Sequence, residues 1–456
     1  MKKTDISKKD DLFQHRSSSK EFLLSKADLK PSLKSTRTAE TKEKDDEKDI
    51  LNNLFPEMQS GETFLEYAMK QLAPYLAFGT MIIRIDDVKE PDQNQKTVDT
   101  DKVLSDIAGE INEICKAENG FWGRLSRFEF ACYFPDVKAS ECLKYAVKFK
   151  ANVEKPGTNS VTTGIAAYPA FIYRKNDIII NAKKALAHSD FFGPGSIVAF
   201  DAVSLNISGD KLYQDGDIDG AIKEFKTALL FDPDNVNVHN SLGVCYGVLG
   251  DFVKAIKEFK EAVRFAPKEI MPLYNLGLVY QLEGKSEKAL KYFLKAGDLG
   301  EELFEIDFQT GKLLLELGKT EEGKKYLEKA SNLKPESSVA LFYLGESFVA
   351  TGMMDEAEDA YKKAIKINPD DAASLSSLGW LYETENKNSD VSFAFCSQSV
   401  EIEPDNGLFR QRLGRLYQKK NLIKEALSEF IKAEQLGCES RMYIKSIRKS
   451  KSATIS

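Results

Sequence analysis

Five charged side chains in the first half of the chain have the types that phosphate chemistry uses. Arg84 and Asp86 stand in the run RIDDVK, and Arg124, Arg127 and Glu129 stand in RLSRFEF, residues 124–130, which continues into the strand-like ACYFPD. A guanidinium group binds phosphate oxygens through two parallel hydrogen bonds, so these arginines would hold a nucleotide if they converge. If they do not, they form surface ion pairs. Carboxylates hold the divalent ions that accompany a nucleoside triphosphate; Glu129 reads as such a group or as a surface or turn carboxylate, with Phe130 in a core. Histidine and cysteine offer no metal site. His15, His188 and His239 are isolated, and Cys115, Cys132, Cys142, Cys245, Cys396 and Cys438 form no CxxC pair.

The elements that must position these residues alternate along the chain. TFLEYAMKQLAPYL has helical spacing, TMIIRID is strand-like and VLSDIAGEINEICK is amphipathic; RFEFACYFP and SVTTGIAAYP are strand-like, and DIIINAKKALAHS is helical again. The pattern predicts an α/β sandwich over residues 51–201, one sheet with helices packed on it. Residues 1–50, ending in a Lys-, Asp- and Glu-rich run, carry too little apolar surface to fold and read as a disordered charged tail.

Whole-chain properties narrow the function classes. With 456 residues the chain has room for two to four domains of roughly 150 each. Lys+Arg 64 against Asp+Glu 71 gives a net charge of −7, which disfavours broad nucleic-acid binding. No apolar run of about 18 residues is present to span a bilayer. The N-terminus has no apolar core of a secretory signal. Scattered cysteines suit a reducing compartment, so a cytoplasmic location is expected.

Residues 51–201 resemble the diguanylate cyclase domain known by its GGDEF motif. Arg124, Glu129 and Phe130 match the motif's flanking Arg and final Glu-Phe; TTGIAAYP at 162–169 and NAKKALAHSDFFGPGSIVAFD at 181–201 match the strand and the closing helix and strand that follow. The resemblance implies the fold, but the chemistry is depleted. Ser126 and Arg127 occupy the two glycine positions, Phe128 replaces an acidic residue, and Arg84 stands at the family's first metal-binding Asp. Asp92 replaces the guanine-contacting Asn, VDTD keeps only Asp101 of the segment after it, and AENG at 117–120 lacks the inhibitory R-x-x-D. A degenerate, non-catalytic domain without cofactor is the expectation.

Residues 202–440 contain an internal repeat whose period is 34 residues in six of seven copies. It can be followed through AIKEFKTALLFDP, AIKEFKEAVRFAP, YLEKASNLKP and AYKKAIKINP, ending at Pro233, Pro267, Pro335 and Pro369, and through Leu-Gly steps at Leu242, Leu276, Leu344, Leu378 and Leu413. Small residues such as Gly243, Ala255 and Ala262 let paired helices approach, Tyr246 and Phe259 fill between them, and the Pro stops the second helix. This closely resembles the tetratricopeptide repeat family and implies an all-α superhelical solenoid. Seven repeats begin near Ala202, Val236, Ile270, Phe304, Ser338, Ala372 and Gly407. The first is weak, with Ser208 for Leu. The sixth carries one extra residue, with Ser392 and Ser399 where Ala is usual. Residues 441–456 add a capping helix and a basic tail. No Gly/Ser/Pro-rich spacer follows Asp201, which implies docking against the preceding domain.

In this family the fifth position of each repeat faces a concave groove. That column is Asn206, Asn240, Tyr274, Phe308, Phe342, Ser376 and Gln411, and neighbouring positions add Asn275, Tyr343, Glu346, Trp380, Arg412 and Arg415. The aromatic strip is expected to anchor a protein or peptide segment, and the basic residues an acidic extension of it; alternatively the rings pack against neighbouring helices. Positions that form a two-carboxylate clamp in some relatives hold Asn206, Asp210, Ser241, Met271 and Asn275 and do not supply that set. The main expectation is a non-enzymatic scaffold. The alternatives are a bacterial-type signalling protein whose degenerate domain senses GTP or cyclic di-GMP, through Arg84, Asp86, Arg124, Arg127 and Glu129, and a residual cyclase.

Overall fold

Eight successive residues of TMIIRID and its upstream neighbours, Phe78–Ile85, form a strand (β1) with both faces covered, and the rest of the N-terminal fold is arranged around it. The structure is a computed structural model describing residues 50–86, 100–154, 160–300 and 302–454. The charged segment up to residue 49 and Asp92 lie outside those residues. The chain divides into two compact units, one ending at Pro267 and the other beginning at Lys268.

In the first unit, short α1 (Ile50–Leu54) and α2 (Gly61–Leu72) precede β1; α3 (Thr100–Ala117), β2 (Phe121–Ser126), β3 (Glu129–Pro135), α4 (Ala139–Val153), β4 (Val161–Tyr168), α5 (Ile178–Ser189) and β5 (Ile197–Ala199) follow. The strands form a mixed sheet in the order β2-β3-β1-β4-β5, antiparallel except for β4 beside β5. Alternation of side chains across the strands builds two cores. Met81, Ile83, Ile85, Phe130, Cys132 and Phe134 pack under Ile107, Ala108 and Ile111 of α3 and Cys142, Ala146 and Phe149 of α4. Phe78, Ile82, Ala131 and Tyr133 pack under Phe64 and Ala68 of α2 and Ile178 and Ala182 of α5. Gly164 of β4 is required by the closeness of α5: a Cβ there would lie 2.3 Å from the Ala182 carbonyl.

Asp201 ends the sheet domain and caps the next helix, accepting a hydrogen bond from the Ser204 amide at 2.9 Å. That helix, α6 (Ala202–Gln214), pairs with α7 (Ile218–Phe231), and α8 (Val236–Val248) pairs with α9 (Phe252–Phe265). The docking anticipated from the missing spacer is present. Lys184 of α5 donates to both Glu224 carboxylate oxygens of α7 at 2.7 Å, His188 lies 3.1 Å from the Ser204 hydroxyl, and Phe231 packs on Phe171 and Phe200. The weak first repeat therefore spends one side on the sheet domain rather than on another repeat.

The second unit contains α10 (Ile270–Leu282) with α11 (Ser286–Gly297), α12 (Phe304–Glu316) with α13 (Thr320–Leu333), α14 (Ser338–Ala350) with α15 (Met354–Ile367), α16 (Ala372–Thr384) with α17 (Ser389–Ile402), α18 (Gly407–Lys419) with α19 (Ile423–Gln435), and then α20 (Arg441–Thr454). The repeated Leu-Gly step has the same steric reason in most pairs. A Cβ on Gly345 would sit 2.5 Å from the Tyr361 ring, as one on Gly243 in the first unit would sit 2.6 Å from Phe259. Helices α7, α9, α13, α15 and α17 end two residues before a Pro, where the pre-proline residue is excluded from helical conformation. The sixth pair replaces the aromatic under Gly379 with Cys396. Its buried Ser392 and Ser399 hydroxyls donate to the Gly379 and Cys396 carbonyls at 2.8 and 2.9 Å, so the polar replacements are satisfied inside the helix pair. Among the described residues no helix is long and apolar enough to cross a membrane.

Candidate partner-binding surface

The phosphate candidates of the sheet domain are engaged within the protein. Arg84, at the end of β1, places its Nη2 2.5 Å from Asp190 and its Nε 3.8 Å from Asp86. Burial works against its charge, but Asp190, Asp86 and Glu129 outweigh it and hold its pKa above the usual value. Asp86 is buried and accepts hydrogen bonds from the Ser160 and Thr162 hydroxyls and the Gly195 amide, at 2.9, 2.8 and 2.8 Å. Its carboxylate anchors the loop before β5. Arg124 donates from Nε to the Ser126 carbonyl and from Nη2 to the Arg127 carbonyl, at 3.0 and 2.8 Å, bracing its own hairpin turn. Arg127 lies 5.4 Å from the Phe128 ring centroid.

Strand register separates these groups further. Arg84 pairs with Glu129 and Thr162, so those three share one sheet face, whereas Arg124 pairs with Phe130 and belongs to the other. Convergence of Arg84 with Arg124, which a phosphate site would need, is not the arrangement found. Among the described residues no group of three or more His, Cys, Asp or Glu could hold a metal ion. Asp101, in the first turn of α3, is exposed.

The repeats divide the expected groove residues into three classes. Asn240, Tyr274 and Asn275 are buried, with Tyr274 only 4% exposed. The Tyr274 ring packs 5.6 Å from Phe293 of its own helix pair, and burial first, then nearby Glu305, raises its phenol pKa. At this position the ring packs against a neighbouring helix and fills space between helices, and it does not face a ligand as the anchoring expectation had it.

Phe308, Phe342 and Tyr343 form the second class, a half-buried aromatic cluster that joins two successive repeats. Phe304 lies parallel to Phe308 at 5.6 Å, Phe308 meets Tyr343 edge-on at 5.6 Å, Tyr343 meets Phe342 at 5.1 Å, and Phe342 reaches Tyr361 at 6.2 Å. Lys312 and Lys334 lie 5.0 and 5.2 Å from the Tyr343 and Phe304 rings, giving the cluster a cationic border.

Glu346 and Arg412 belong to the third class, residues bound into the framework. The Tyr361 hydroxyl and the Ser377 hydroxyl donate to one Glu346 oxygen at 2.6 and 2.8 Å; Arg412 donates to Ser376 and Ser377 at 3.0 and 3.3 Å. The chain ties α14, α15, α16 and α18 together. Desolvation lowers the Arg412 pKa, and burial followed by Glu346 raises that of Tyr361. Neither Glu346 nor Arg412 is presented to a ligand as the sequence suggested. Beyond them Arg415 is exposed, its guanidinium 4.3 Å from the Trp380 ring centroid and 5.7 Å from that of Tyr443 on α20.

Phe304, Lys312 and Tyr443 were missed by reading only fixed groove positions. Lys312 stands 34 residues before Glu346, and Tyr443 belongs to a helix that occupies the place of an eighth repeat's first helix; following the 34-residue period past the last full repeat points to it.

Comparison with known proteins agrees with the periodicity. Residues 209–250 match a family model described as TPR repeat, and residues 272–298 and 308–372 match models described as tetratricopeptide repeat. No curated protein sequence matches the chain. Among solved structures, a tetratricopeptide repeat protein from Parabacteroides merdae is similar at 21% identity over 54% of this chain and 97% of its own, with a TM-score of 0.43. YrrB, a TPR protein with an unusual peptide-binding site, is similar at 20% identity over 43% and 97%, TM-score 0.38. MamA from Desulfovibrio magneticus is similar at 19% identity over 37% and 95%, TM-score 0.35.

Proposed function

We propose that this chain, which carries tetratricopeptide repeats, is a non-catalytic scaffold that captures a segment of another protein on the first-helix face of its C-terminal unit. The observation that carries the reading is the half-buried cluster of Phe304, Phe308, Phe342 and Tyr343, a set of rings crossing two repeats with lysines at its edge. Rings that are partly covered already have their orientation fixed, so a ligand side chain gains contact area without ordering them. Solenoids offer such repeated faces as extended binding surfaces. In this reading residues 51–201 are a degenerate cyclase-like domain that has lost its metal and phosphate chemistry and serves as the docked N-terminal neighbour of repeats spanning 202–440.

Capture of partners by wild type and by a Phe308→Ala/Tyr343→Ala double variant, each verified as folded by circular dichroism, tests the proposal. The expected result is selective loss of a discrete partner from the variant; identical capture by both proteins would count against the reading. Nucleotide sensing by the N-terminal domain rests on the motif resemblance alone, because Arg84 and Arg124 are already occupied by Asp190 and by the hairpin turn. Calorimetry with GTP and cyclic di-GMP would revive it on a measurable heat.

A further inference from the structure

We infer that Arg415, held between Trp380 and Tyr443, is a carboxylate receptor, and that the segment captured by this protein carries acidic residues next to its apolar anchor. The inference rests on the scaffold reading and adds the chemistry and direction of the ligand.

Arg415 differs from Arg410, Arg412 and Arg441 of its unit. Arg410 is paired with Glu429 at 2.6 Å, Arg441 with Glu434 at 2.6 Å, and Arg412 is tied to two serine hydroxyls. Arg415 is exposed, and among the described residues its partners are two rings rather than a carboxylate. Stacking on an aromatic face fixes the plane of a guanidinium while leaving its N–H edge available, the geometry that receives a carboxylate through two hydrogen bonds. A lysine cannot reproduce it.

The surroundings change character along the repeat columns. At the ninth position of successive first helices stand Lys312, Glu346, Trp380 and Arg415, and the same spacing continues to Lys449 on α20; at the fifth stand Phe308, Phe342, Ser376 and Gln411, continuing to Lys445. Aromatic residues occupy α12 and α14, whereas α18 and α20 present bases. Helix α20 contains no acidic residue, and its Lys445, Arg448 and Lys449 are exposed. Glu346, the one acidic residue among those named at the ninth position, is turned inward by its bonds to Tyr361 and Ser377. Charge complementarity thus matches an acidic peptide running toward α20, with its apolar end over Phe308 and Tyr343. A nucleic acid is disfavoured by the −7 charge of the chain.

The chain has only two tryptophans, so a Trp122→Phe variant leaves Trp380, in contact with Arg415, as the sole indole reporter. This full-length variant is titrated at low salt with capped hexaglutamate, with capped hexaglutamine and with a single-stranded oligonucleotide. The inference predicts a saturable change in Trp380 emission with hexaglutamate alone. That change should weaken with salt, and its affinity should fall about ten-fold or more in Arg415→Gln. Arg415→Lys, which keeps the charge and is the less disruptive change, is expected to recover only part of it. No response, an equal response to hexaglutamine, or tighter binding of the oligonucleotide overturns the inference. Phe308→Ala/Tyr343→Ala distinguishes the two readings. It should leave the hexaglutamate response intact, so a surviving response with no partner captured through the rings would retain the receptor and refute the aromatic scaffold.

Discussion

Replacing Glu346 by Ala should destabilise the second unit strongly, whereas replacing Arg415 should not, although the two residues share one sequence column. Glu346 accepts from the Tyr361 and Ser377 hydroxyls, and Ser377 in turn accepts from Arg412. Hydrogen bonds to a charged acceptor contribute roughly 1.5–3 kcal/mol each, so two give an upper figure of about 6 kcal/mol. Glu346 is half-buried, which reduces that figure; about 3 kcal/mol is expected for Glu346→Ala. Arg415→Gln gives up two exposed cation–π contacts, on the order of 0.5–1 kcal/mol each. A repeat protein need not unfold in one step, so the suitable assay is native-state hydrogen exchange of α14, α16 and α18 amides, with urea melts beside it. Arg412→Gln combined with Glu346→Ala should cost less than the sum of the single changes, because each already disconnects the chain through Ser377. Equal effects of Glu346→Ala and Arg415→Gln, or strict additivity of the double change, would refute the network.

Other outcomes follow from particular contacts. His239 faces Glu258 at 2.8 Å through Nδ1 and the Pro233 carbonyl at 3.0 Å through Nε2; burial opposes its charge, but these two acceptors prevail and raise its pKa above the ordinary 6.5. Because the folded value is the higher one, this stabilisation is complete below about pH 6.5 and is lost as pH rises through the folded pKa. Urea midpoints should fall over that interval in wild type and flatten in His239→Gln. Phe259→Ala, which empties the space beneath Gly243, should cost about 3–5 kcal/mol, measured by the same melts. Lys184→Ala should uncouple the sheet domain from the first repeat, seen as faster proteolysis near Asp201, because it leaves Glu224 unpaired in a part-buried junction.

The repeat architecture was legible because its causes are local. A Gly opposite an aromatic or small partner, an Ala row and a terminal Pro recur at a fixed interval, and even the irregular sixth pair announces itself by its serines. The sheet domain was legible as an order of helices and strands but not as a register, and the register is what sends Arg84 and Arg124 to opposite faces. Asp190 gave no sign of being Arg84's partner, since the two are 106 residues apart. Tyr274 and Phe308 occupy the same column and read alike; only the fit against Phe293 makes the first a core residue. Arg412 and Arg415 likewise look equivalent on one helix, and the hydroxyls that bind Arg412 come from Ser376 and Ser377, 36 and 35 residues earlier in the chain.

Site-directed photo-cross-linking tests the scaffold most directly. A photoreactive residue replaces Phe308 or Phe342 in the aromatic cluster, and a control replaces Val253, which is 78% exposed on α9. Mass spectrometry of the products should find both cluster positions joined to one discrete segment of another protein, rich in apolar and acidic residues, and the control position not joined to it. Cross-links from Phe308 and Phe342 confined to this chain itself would contradict the account.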